Sequence, residues 1–325
     1  MSESWLVTGG AGYIGAHVAR ALQHAGLRPV VVDDLSSGRD AFVPEGIAFY
    51  RGSVLDRRLL VDAITSQSVQ GVIHLAGYKY AGESVRRPVH TYQQNVTAAA
   101  TLLDAMRETG VGLLVNSSSA AVYGTPHVEL VDEATPTVPE SPYGESKLVA
   151  EWLIRDQAVA TGLRHTSLRY FNVVGAGYPD VWDSSPHNLF PLLFQALSEG
   201  RAPRINGDDY PTPDGTCVRD YVHVVDIADA HLRAARALSA GQPLRPVYNL
   251  GSGTGVSVRE VIDMVADVTA IPISAEIGPR RAGDPARIVA SARLAADELG
   301  WSATRDLREM VRSAWASVPG EEPSR

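Results

Sequence analysis

The segment Thr8-Gly-Gly-Ala-Gly-Tyr-Ile-Gly15 decides the fold of this chain. It follows the run Trp5-Leu-Val-Thr8, which predicts a strand, and it opens a helical pattern over residues 14–25. Its glycines satisfy both the Gly-x-Gly-x-x-Gly and the Gly-x-x-Gly-x-x-Gly spacing, which lets backbone N–H groups approach a pyrophosphate at a helix N-terminus. The segment therefore predicts a dinucleotide site with contacts from Gly9, Gly12, Tyr13, Ile14 and Gly15.

Outward from this segment, apolar runs alternate with helical patterns through the first half of the chain. Further strands are predicted at residues 29–33, 71–76, 111–116 and 164–170. Continuous apolar strands that alternate with helices are typical of a parallel sheet covered on both faces. We expect an α/β fold: a Rossmann-type doubly wound parallel sheet with a smaller α/β substrate-binding lobe.

The character of the chain changes after about residue 172, where longer loops rich in Gly, Pro and Asp separate short elements. Such loops on a rigid scaffold commonly shape ligand sites. We expect a dinucleotide-binding domain over residues 1–175, rejoined near residues 220–250, and a substrate-binding lobe over residues 176–325. The boundary between them is expected to be discontinuous.

Asp33 ends the second predicted strand, and this position decides the type of dinucleotide. A carboxylate accepts hydrogen bonds from both ribose hydroxyls and repels a 2′-phosphate, and no basic residue follows until Arg39. We expect NAD rather than NADP. A helix or turn cap is the alternative role for Asp33.

Composition excludes several classes of protein. The 325 residues are 45% hydrophobic and 20% charged, with a net charge of −8 that argues against a nucleic-acid partner. No stretch approaches the roughly 20 apolar residues that span a bilayer, so no membrane association is expected. The single cysteine, Cys217, excludes an intramolecular disulfide and a cysteine-based zinc site, and it fits the reducing cytoplasm. We expect a cytoplasmic protein with no metal site.

Tyr143 and Lys147 lie four residues apart, and Lys147 is one of only two lysines in the chain, the other being Lys79. Ser141 can cap a helix with Pro142 in its first turn, which places Tyr143 and Lys147 on one face. A tyrosine hydroxyl titrates near about 10, and an adjacent ammonium favours its phenolate. The pair predicts a general base with its activating lysine.

Three serines end a predicted apolar strand, where the active sites of α/β proteins gather. A hydroxyl there can hydrogen-bond a substrate oxygen and assist proton transfer. The residues alone do not choose among Ser117, Ser118 and Ser119, and we favour Ser119.

Further segments join these motifs: Ser117-Ser-Ser-Ala-Ala-Val-Tyr-Gly124, Arg169-Tyr-Phe-Asn172, Asp208-Asp-Tyr-Pro-Thr-Pro-Asp-Gly215, Val218-Arg-Asp-Tyr-Val-His223, Tyr248-Asn-Leu-Gly251 and Arg280-Arg-Ala-Gly-Asp284. With them, the chain resembles the UDP-glucose 4-epimerases of the extended short-chain dehydrogenase/reductase family from about residue 4 to about residue 315. The glycine and Tyr-x3-Lys motifs belong to extended short-chain dehydrogenases generally, whereas residues 208–215 are more particular to hexose 4-epimerases.

The resemblance implies reversible epimerisation at C4 of a UDP-hexose. Tyr143 would remove the 4-OH proton while hydride passes from C4 to NAD, and the 4-keto sugar would turn and take the hydride back on its other face. Lys147 would hold the nicotinamide ribose, and Ser119 would bridge Tyr143 and the sugar oxygen. The further cofactor contacts that it implies are Asp33, Ser53, Val54, Leu75, Ala76, Lys79, Asn95, Ser117, Tyr143, Lys147 and Tyr170. The implied UDP-sugar contacts are Lys79, Ser119, Tyr143, Asn172, Asn188, Leu189, Asn206, Arg219, Arg281, Asp284 and Ile288.

Within that set, Arg219 and Arg281 would clamp the diphosphate and Asp284 would hold the uridine ribose. Ser53 stands where the family usually has an aspartate for the adenine amino group, so we expect weaker NAD retention. Asn206 stands where an aromatic residue is common beside the uracil. Ile288 falls on the position that gates N-acetyl sugars, with a core strand residue as its alternative role.

The alternatives are an epimerase of other UDP-sugars, such as N-acetylhexosamines or pentoses, and an extended short-chain oxidoreductase or dehydratase. Ala120 and Ala121 supply no acid/base carboxylates, which disfavours a dehydratase. A regulatory protein that only senses the cofactor would not need Tyr143 and Lys147 together. We also expect a homodimer, formed by apolar faces of helices at 95–107 and 143–160: Ala98, Leu102, Leu103, Leu148, Trp152 and Leu153.

Overall fold

The computed structural model of the chain describes residues 2–281 and 284–319. Its strands, in chain order, are β1 (Ser4–Thr8), β2 (Arg28–Asp33), β3 (Ala48–Arg51), β4 (Gly71–His74), β5 (Leu113–Ser119), β6 (Arg164–Tyr170), β7 (Asn172–Val174), β8 (Arg204–Asn206), β9 (Val218–His223), β10 (Val247–Leu250), β11 (Gly255–Ser257), β12 (Glu276–Gly278) and β13 (Arg287–Ile288). Its helices are α1 (Tyr13–His24), α2 (Arg57–Ser66), α3 (Ala81–Arg86), α4 (Pro88–Tyr92), α5 (Ala98–Thr109), α6 (Pro142–Thr161), α7 (Leu189–Ser198), α8 (Val224–Ser239), α9 (Val258–Thr269), α10 (Arg293–Leu299) and α11 (Leu307–Ala316).

A parallel sheet organises the first half of the chain. Within the described residues it has seven strands in the order β10-β6-β5-β4-β1-β2-β3, and each neighbouring pair is parallel. This order contains the 3-2-1-4-5-6 arrangement of dinucleotide-binding folds. The expected Rossmann-type sheet is therefore confirmed, and its strands begin and end within a few residues of their predicted positions.

Alternate residues of the strands supply two cores, one on each face of this sheet. Trp5 and Val7 pack with α1 and α8 on one face, whereas Leu6 packs with α2, α5 and α6 on the other. All three side chains are fully buried. Burial on both faces explains why the strands read as continuous apolar runs.

The smaller lobe is built on a second sheet. In the described part of the chain it has the order β11-β9-β13, with β7 paired to β9, and a short β12-β8 pair lies apart from it. Its core, which includes Phe190, Tyr221, Val265 and Trp315, joins the sheet to α7, α9 and α11. Between β9 and β11 the chain returns to the large sheet with α8 and β10. None of the described helices is both long and apolar enough to span a membrane.

The expected dimer faces are wrong in part. Ala98, Leu102, Leu103 and Leu148 are 0–5% exposed because they pack inside the protomer, so they cannot meet a second copy. Trp152, by contrast, is 48% exposed. An apolar helical stripe indicates burial, but it does not say whether the partner is the helix's own sheet or another chain.

Candidate active site

A cleft of about 1690 Å³ opens at the carboxyl ends of the parallel strands. A pocket for one drug-sized ligand usually measures about 300–1,000 Å³, so this cleft has room for two ligands. Most of the predicted site residues form its wall: Gly9, Gly12, Tyr13, Ile14, Gly15, Asp33, Val54, Leu75, Ala76, Lys79, Ser119, Tyr143, Lys147, Tyr170, Asn172, Asn188, Leu189, Asn206, Arg219, Arg281 and Asp284.

The glycine-rich turn leaves the start of α1 open to the cleft. Gly9 has φ +73°, and a Cβ on Gly15 would lie 2.0 Å from the Gly9 carbonyl oxygen, so packing requires glycine at both positions. A Cβ on Gly12 would contact only that oxygen, at 3.2 Å. Gly12 directly precedes α1 and provides no side-chain cap for the helix. No acidic residue lies in the first turn of α1. The free N–H groups and the helix dipole therefore suit an anionic group such as a pyrophosphate.

Asp33 lies at the end of β2 and is 8% exposed. Its two carboxylate oxygens accept from the backbone N–H groups of Ala11 (3.0 Å) and Leu35 (2.8 Å), and burial raises its pKa. The turn-cap alternative is thus part of its role. Each oxygen keeps a free acceptor site, which a ribose hydroxyl can use.

The start of α6 positions the proposed catalytic pair. Ser141 accepts from the Gly144 N–H (3.2 Å), and Pro142 occupies the first turn, as expected from the sequence. One helical turn separates Tyr143 from Lys147, and both side chains reach the cleft. Lys147 Nζ donates to the Ser117 carbonyl (3.0 Å), while the Ser119 hydroxyl hydrogen-bonds Tyr143.

Among the three serines, the structure places Ser119 in the cleft wall. The Ser117 hydroxyl donates to His231 Nε2 (2.8 Å), and the Ser118 hydroxyl donates to Glu151 (2.5 Å), so both side chains turn into the protein. The geometry favours Ser119 for contact with a substrate.

Burial has the largest influence on the pKa values of Tyr143 and Lys147. It raises the pKa of Tyr143, and the hydrogen bond from Ser119 lowers it by a smaller amount. Burial lowers the pKa of Lys147 to about 8, with the Glu151 carboxylate opposing that change. A lowering of the Tyr143 pKa by Lys147 stays a prediction.

Arg219 and Asp284 form the polar end of the cleft. Arg219 Nη2 lies 3.4 Å from Asp284 Oδ1, and Arg219 Nη1 donates to the Val218 carbonyl (2.8 Å). Nη2 is buried and has no hydrogen-bond partner in the described part of the protein. A buried guanidinium with an unused donor is well suited to a phosphate group.

Four predicted contacts lie outside the cleft wall. Ser117 faces His231, and the Ser53 hydroxyl accepts from the Leu55 N–H (3.2 Å) in the turn before α2. Asn95 is 3% exposed and donates its amide to the Tyr78 carbonyl and to Ser146. Ile288 packs on the cluster that includes Phe171, a residue of the cleft wall. Their ligand contacts stay predictions.

Other aromatic side chains also line the cleft, and the sequence motifs did not predict them. Tyr221 follows Arg219 by two residues on β9, so both side chains share one face of the strand, and it hydrogen-bonds Asn172. Tyr80 and His187 meet edge to face, with ring centroids 5.0 Å apart. The alternation of side chains along β9 could have predicted that Tyr221 faces the cleft with Arg219. No short sequence pattern indicates the contact between Tyr80 and His187, which are far apart in the chain.

Comparisons with known proteins agree with this geometry. The profile of the NAD dependent epimerase/dehydratase family matches residues 5–251. The chain is 46% identical to a UDP-glucose 4-epimerase of Streptomyces lividans over 320 residues, which is 97% of this chain and 96% of that protein. It is similar to the structure of UDP-glucose 4-epimerase from Brucella ovis in complex with NAD, with TM-score 0.92, 39% identity, and 96% and 97% of the two chains covered. It is also similar to the Bifidobacterium longum enzyme in complex with NAD+ and UDP, with TM-score 0.88, 36% identity, and 97% of each chain covered.

Proposed function

The chain belongs to the NAD dependent epimerase/dehydratase family, and on that premise we propose that it interconverts UDP-galactose and UDP-glucose by inverting C4. One observation carries this proposal: a single cleft wall contains the open start of α1, the Tyr143, Ser119 and Lys147 cluster, and Arg219, whose buried Nη2 has no hydrogen-bond partner among the described residues. Similarity over nearly the full length to proteins named UDP-glucose 4-epimerase selects this reaction within the family.

NAD is the cofactor that fits these residues. The free N–H groups at the start of α1 suit its pyrophosphate, and Asp33 suits two ribose hydroxyls but not a 2′-phosphate. Lys147 would hold the nicotinamide ribose. Bound NAD would supply the hydride acceptor and donor that the reaction at C4 needs, which no side chain can do.

The side chains move one proton and hold the substrate. Tyr143 removes the proton of the sugar 4-OH and returns it to the same oxygen, while Ser119 hydrogen-bonds both oxygens. Arg219 and Arg281 hold the diphosphate as the oxidised sugar turns about its bond to phosphate. Two faces of C4 are then presented in succession to one fixed site.

The alternatives within this scaffold have less support. Ala120 and Ala121 lie in the short helical turn after Ser119, where a dehydratase needs acid/base carboxylates. Other UDP-sugars would make the same UDP contacts and differ only at the sugar. An assay is therefore needed to show whether a UDP-N-acetylhexosamine or a UDP-pentose is a substrate.

A coupled assay tests the proposed function. UDP-galactose is given to the purified protein with and without added NAD, and UDP-glucose formation is followed alongside the absorbance of reduced cofactor. We expect many turnovers with no net reduction of NAD. Accumulation of reduced cofactor in step with substrate loss, without UDP-glucose, would show an oxidoreductase instead. A panel of UDP-sugars ranks the substrates.

The proposal also includes the domain boundaries and the cellular compartment. We place a NAD-binding domain at residues 1–175, rejoined near residues 220–250, and a UDP-sugar-binding lobe at residues 176–325. The return of α8 and β10 to the large sheet supports the discontinuous boundary. The free, buried thiol of Cys217 supports a reducing compartment, the cytoplasm.

The homodimer that we propose uses exposed apolar side chains of α3, α4 and α6, and among them Trp152 belongs to the predicted helix faces. Val85, Val89, Trp152 and Val159 are 64%, 70%, 48% and 86% exposed on α3, α4 and α6. Light scattering should give about twice the chain mass of 34.8 kDa. Trp152→Arg should shift the mass toward the monomer, whereas Val128→Arg, at a 46% exposed position outside these helices, should not. A monomeric wild type at micromolar concentration would rule out the dimer.

Ser53→Asp should raise NAD retention. The Ser53 hydroxyl caps the turn to Leu55, and an aspartate can make the same cap while adding a charged acceptor for the adenine amino group. We expect partial NAD occupancy after extensive dialysis of the wild type and higher occupancy in the variant, measured by released cofactor. Full wild-type occupancy, unchanged by the substitution, is the contrary result.

Ile288→Tyr should remove activity on UDP-N-acetylgalactosamine and spare UDP-galactose. Isoleucine has no ring to fill the pocket near the 2-substituent, so the wild type should accept N-acetyl sugars at a rate lower by tens- to hundreds-fold. Ile288→Leu is the control for repacking of the neighbouring core. An unfolded Ile288→Tyr protein, or an unchanged ratio of the two activities, would assign Ile288 to the core alone.

A further inference from the structure

A buried ion pair lies behind the catalytic cluster and outside the cleft wall. Glu151 follows Lys147 by one turn of α6 and is 7% exposed. Its Oε1 accepts from Ser118 Oγ (2.5 Å) and Arg169 Nε (2.9 Å), and its Oε2 accepts from Arg169 Nη2 (2.6 Å). The bidentate geometry fixes both side chains relative to each other.

The network continues to the far strands of the large sheet. Arg169 Nη1 donates to the Tyr123 hydroxyl (2.9 Å), which donates to Asn249 Oδ1 (2.8 Å). Arg169, Tyr123 and Asn249 are each no more than 5% exposed. The hydrogen bonds thus join α6 to β5, β6 and β10 through fully satisfied polar groups, which makes the arrangement rigid.

Ser118 is the point where this network meets the catalytic cluster. The residue before it, Ser117, gives its carbonyl to Lys147 Nζ (3.0 Å), and the residue after it, Ser119, hydrogen-bonds Tyr143. A shift of Ser118 would therefore move the partners of both catalytic side chains at once.

The Glu151 carboxylate also acts on Lys147 by its charge. It raises the pKa of Lys147 against the burial that lowers it to about 8. His74 on β4 also feels the charge of Lys147: burial and that charge lower the pKa of His74 to about 3, so it is neutral at working pH. Glu151, which is paired with Arg169, thus also adds an opposing charge one helical turn from Lys147.

We propose that Glu151 is a positioning residue for the catalytic pair: through Ser118 and Arg169 it holds the end of β5 against α6, and it places a carboxylate one helical turn from Lys147. This role rests on the proposed function, since it acts through Lys147 and Tyr143. The competing role is a structural ion pair, since buried pairs of this kind also occur without influence on a site.

Because the chain contains only two lysines, Lys147 can be titrated directly. Protein labelled with 13C at lysine Cε gives two side-chain signals, and Lys79→Arg identifies them. In Glu151→Gln the Lys147 midpoint should fall by about one pH unit, as expected when an opposite charge is lost. The Lys79 midpoint should not move. Asp226→Asn, which neutralises a 4% exposed acid on α8, should leave both midpoints unchanged.

Kinetics give the second readout. In Glu151→Gln we expect kcat for UDP-galactose to fall by about 10-fold or more with KM within about three-fold, since geometry at the reacting centre changes and the UDP contacts do not. The alkaline fall of activity should move to lower pH together with the Lys147 midpoint. An unchanged midpoint in folded Glu151→Gln protein would overturn the proposal.

Two further variants keep the test decisive if Glu151→Gln does not fold. Glu151→Gln with Arg169→Met leaves no unpaired buried charge and is titrated by the same criterion. Ser118→Ala keeps both charges, so kcat should fall while the Lys147 midpoint stays; a kcat within about two-fold of wild type would contradict the positioning of β5. The titration needs no substrate, so it is readable even if no UDP-sugar is turned over, which is how the proposed function would fail.

Discussion

Tyr143→Phe should lower turnover of UDP-galactose by at least about 100-fold, since transfer of a proton by a positioned base contributes about 10²–10⁴-fold. The substitution removes only the hydroxyl that the Ser119 hydrogen bond holds in the cleft. The affinity for UDP, measured by calorimetry, should stay near the wild-type value because the proposed diphosphate contacts are Arg219 and Arg281, not Tyr143.

Tyr92→Phe is the matched control for this result. Its hydroxyl donates to Glu145 (2.9 Å) beside the start of the same helix, so the change is chemically identical and close in space. We expect activity within about two-fold of wild type, as for most substitutions away from a site. Tyr143→Phe activity within a few-fold of wild type would remove Tyr143 from its role as the base.

Arg219→Met should weaken UDP binding by about 100-fold, which corresponds to about 2.7 kcal/mol. The Arg219 side chain is 12% exposed and its Nη2 finds no hydrogen-bond partner within residues 2–281 and 284–319, so a phosphate oxygen would gain a strong, largely desolvated contact. Loss of the guanidinium also leaves Asp284 without its ion-pair partner. The Kd for UDP, measured by calorimetry on NAD-loaded protein, checks the prediction.

Arg312→Met serves as the control for the loss of one positive charge from the same lobe. Its side chain is 68% exposed and paired with Glu309 on the surface of α11, so UDP affinity should not change. NAD content should be equal in the wild type and both variants, because neither Arg219 nor Arg312 is among the proposed dinucleotide contacts. Equal UDP affinity of Arg219→Met and Arg312→Met would exclude Arg219 from the diphosphate site.

Local signals predicted the large sheet and the dinucleotide end of the cleft. The spacing of Gly9, Gly12 and Gly15, the strand before them and Asp33 at the next strand end are all short-range features. The helix that carries Tyr143 and Lys147 was predicted for the same reason, because its cap and its spacing lie within a few residues.

Features that depend on distant residues could not be predicted. The direction of each serine at the end of β5 follows from Glu151 and His231, which are 33 and 114 residues away from their partners. The sequence predicts Arg169 in a strand, but its pairing with Glu151 depends on which face of α6 meets β6. Periodicity predicts that the apolar face of the helix with Leu102 is buried, but it does not identify the surface that covers this face. That surface is the core of the same protomer and not a second copy.

The most direct test of the central claim follows the hydrogen at C4. UDP-galactose carrying deuterium at C4 is converted in ordinary water with no added NAD, and the UDP-glucose formed is examined by NMR and mass spectrometry. Because the proposed reaction returns the hydride to the C4 atom that released it, the product should retain deuterium at C4 in nearly every molecule. Product with hydrogen from water at C4 would contradict transient oxidation by a retained cofactor and would require inversion by proton exchange.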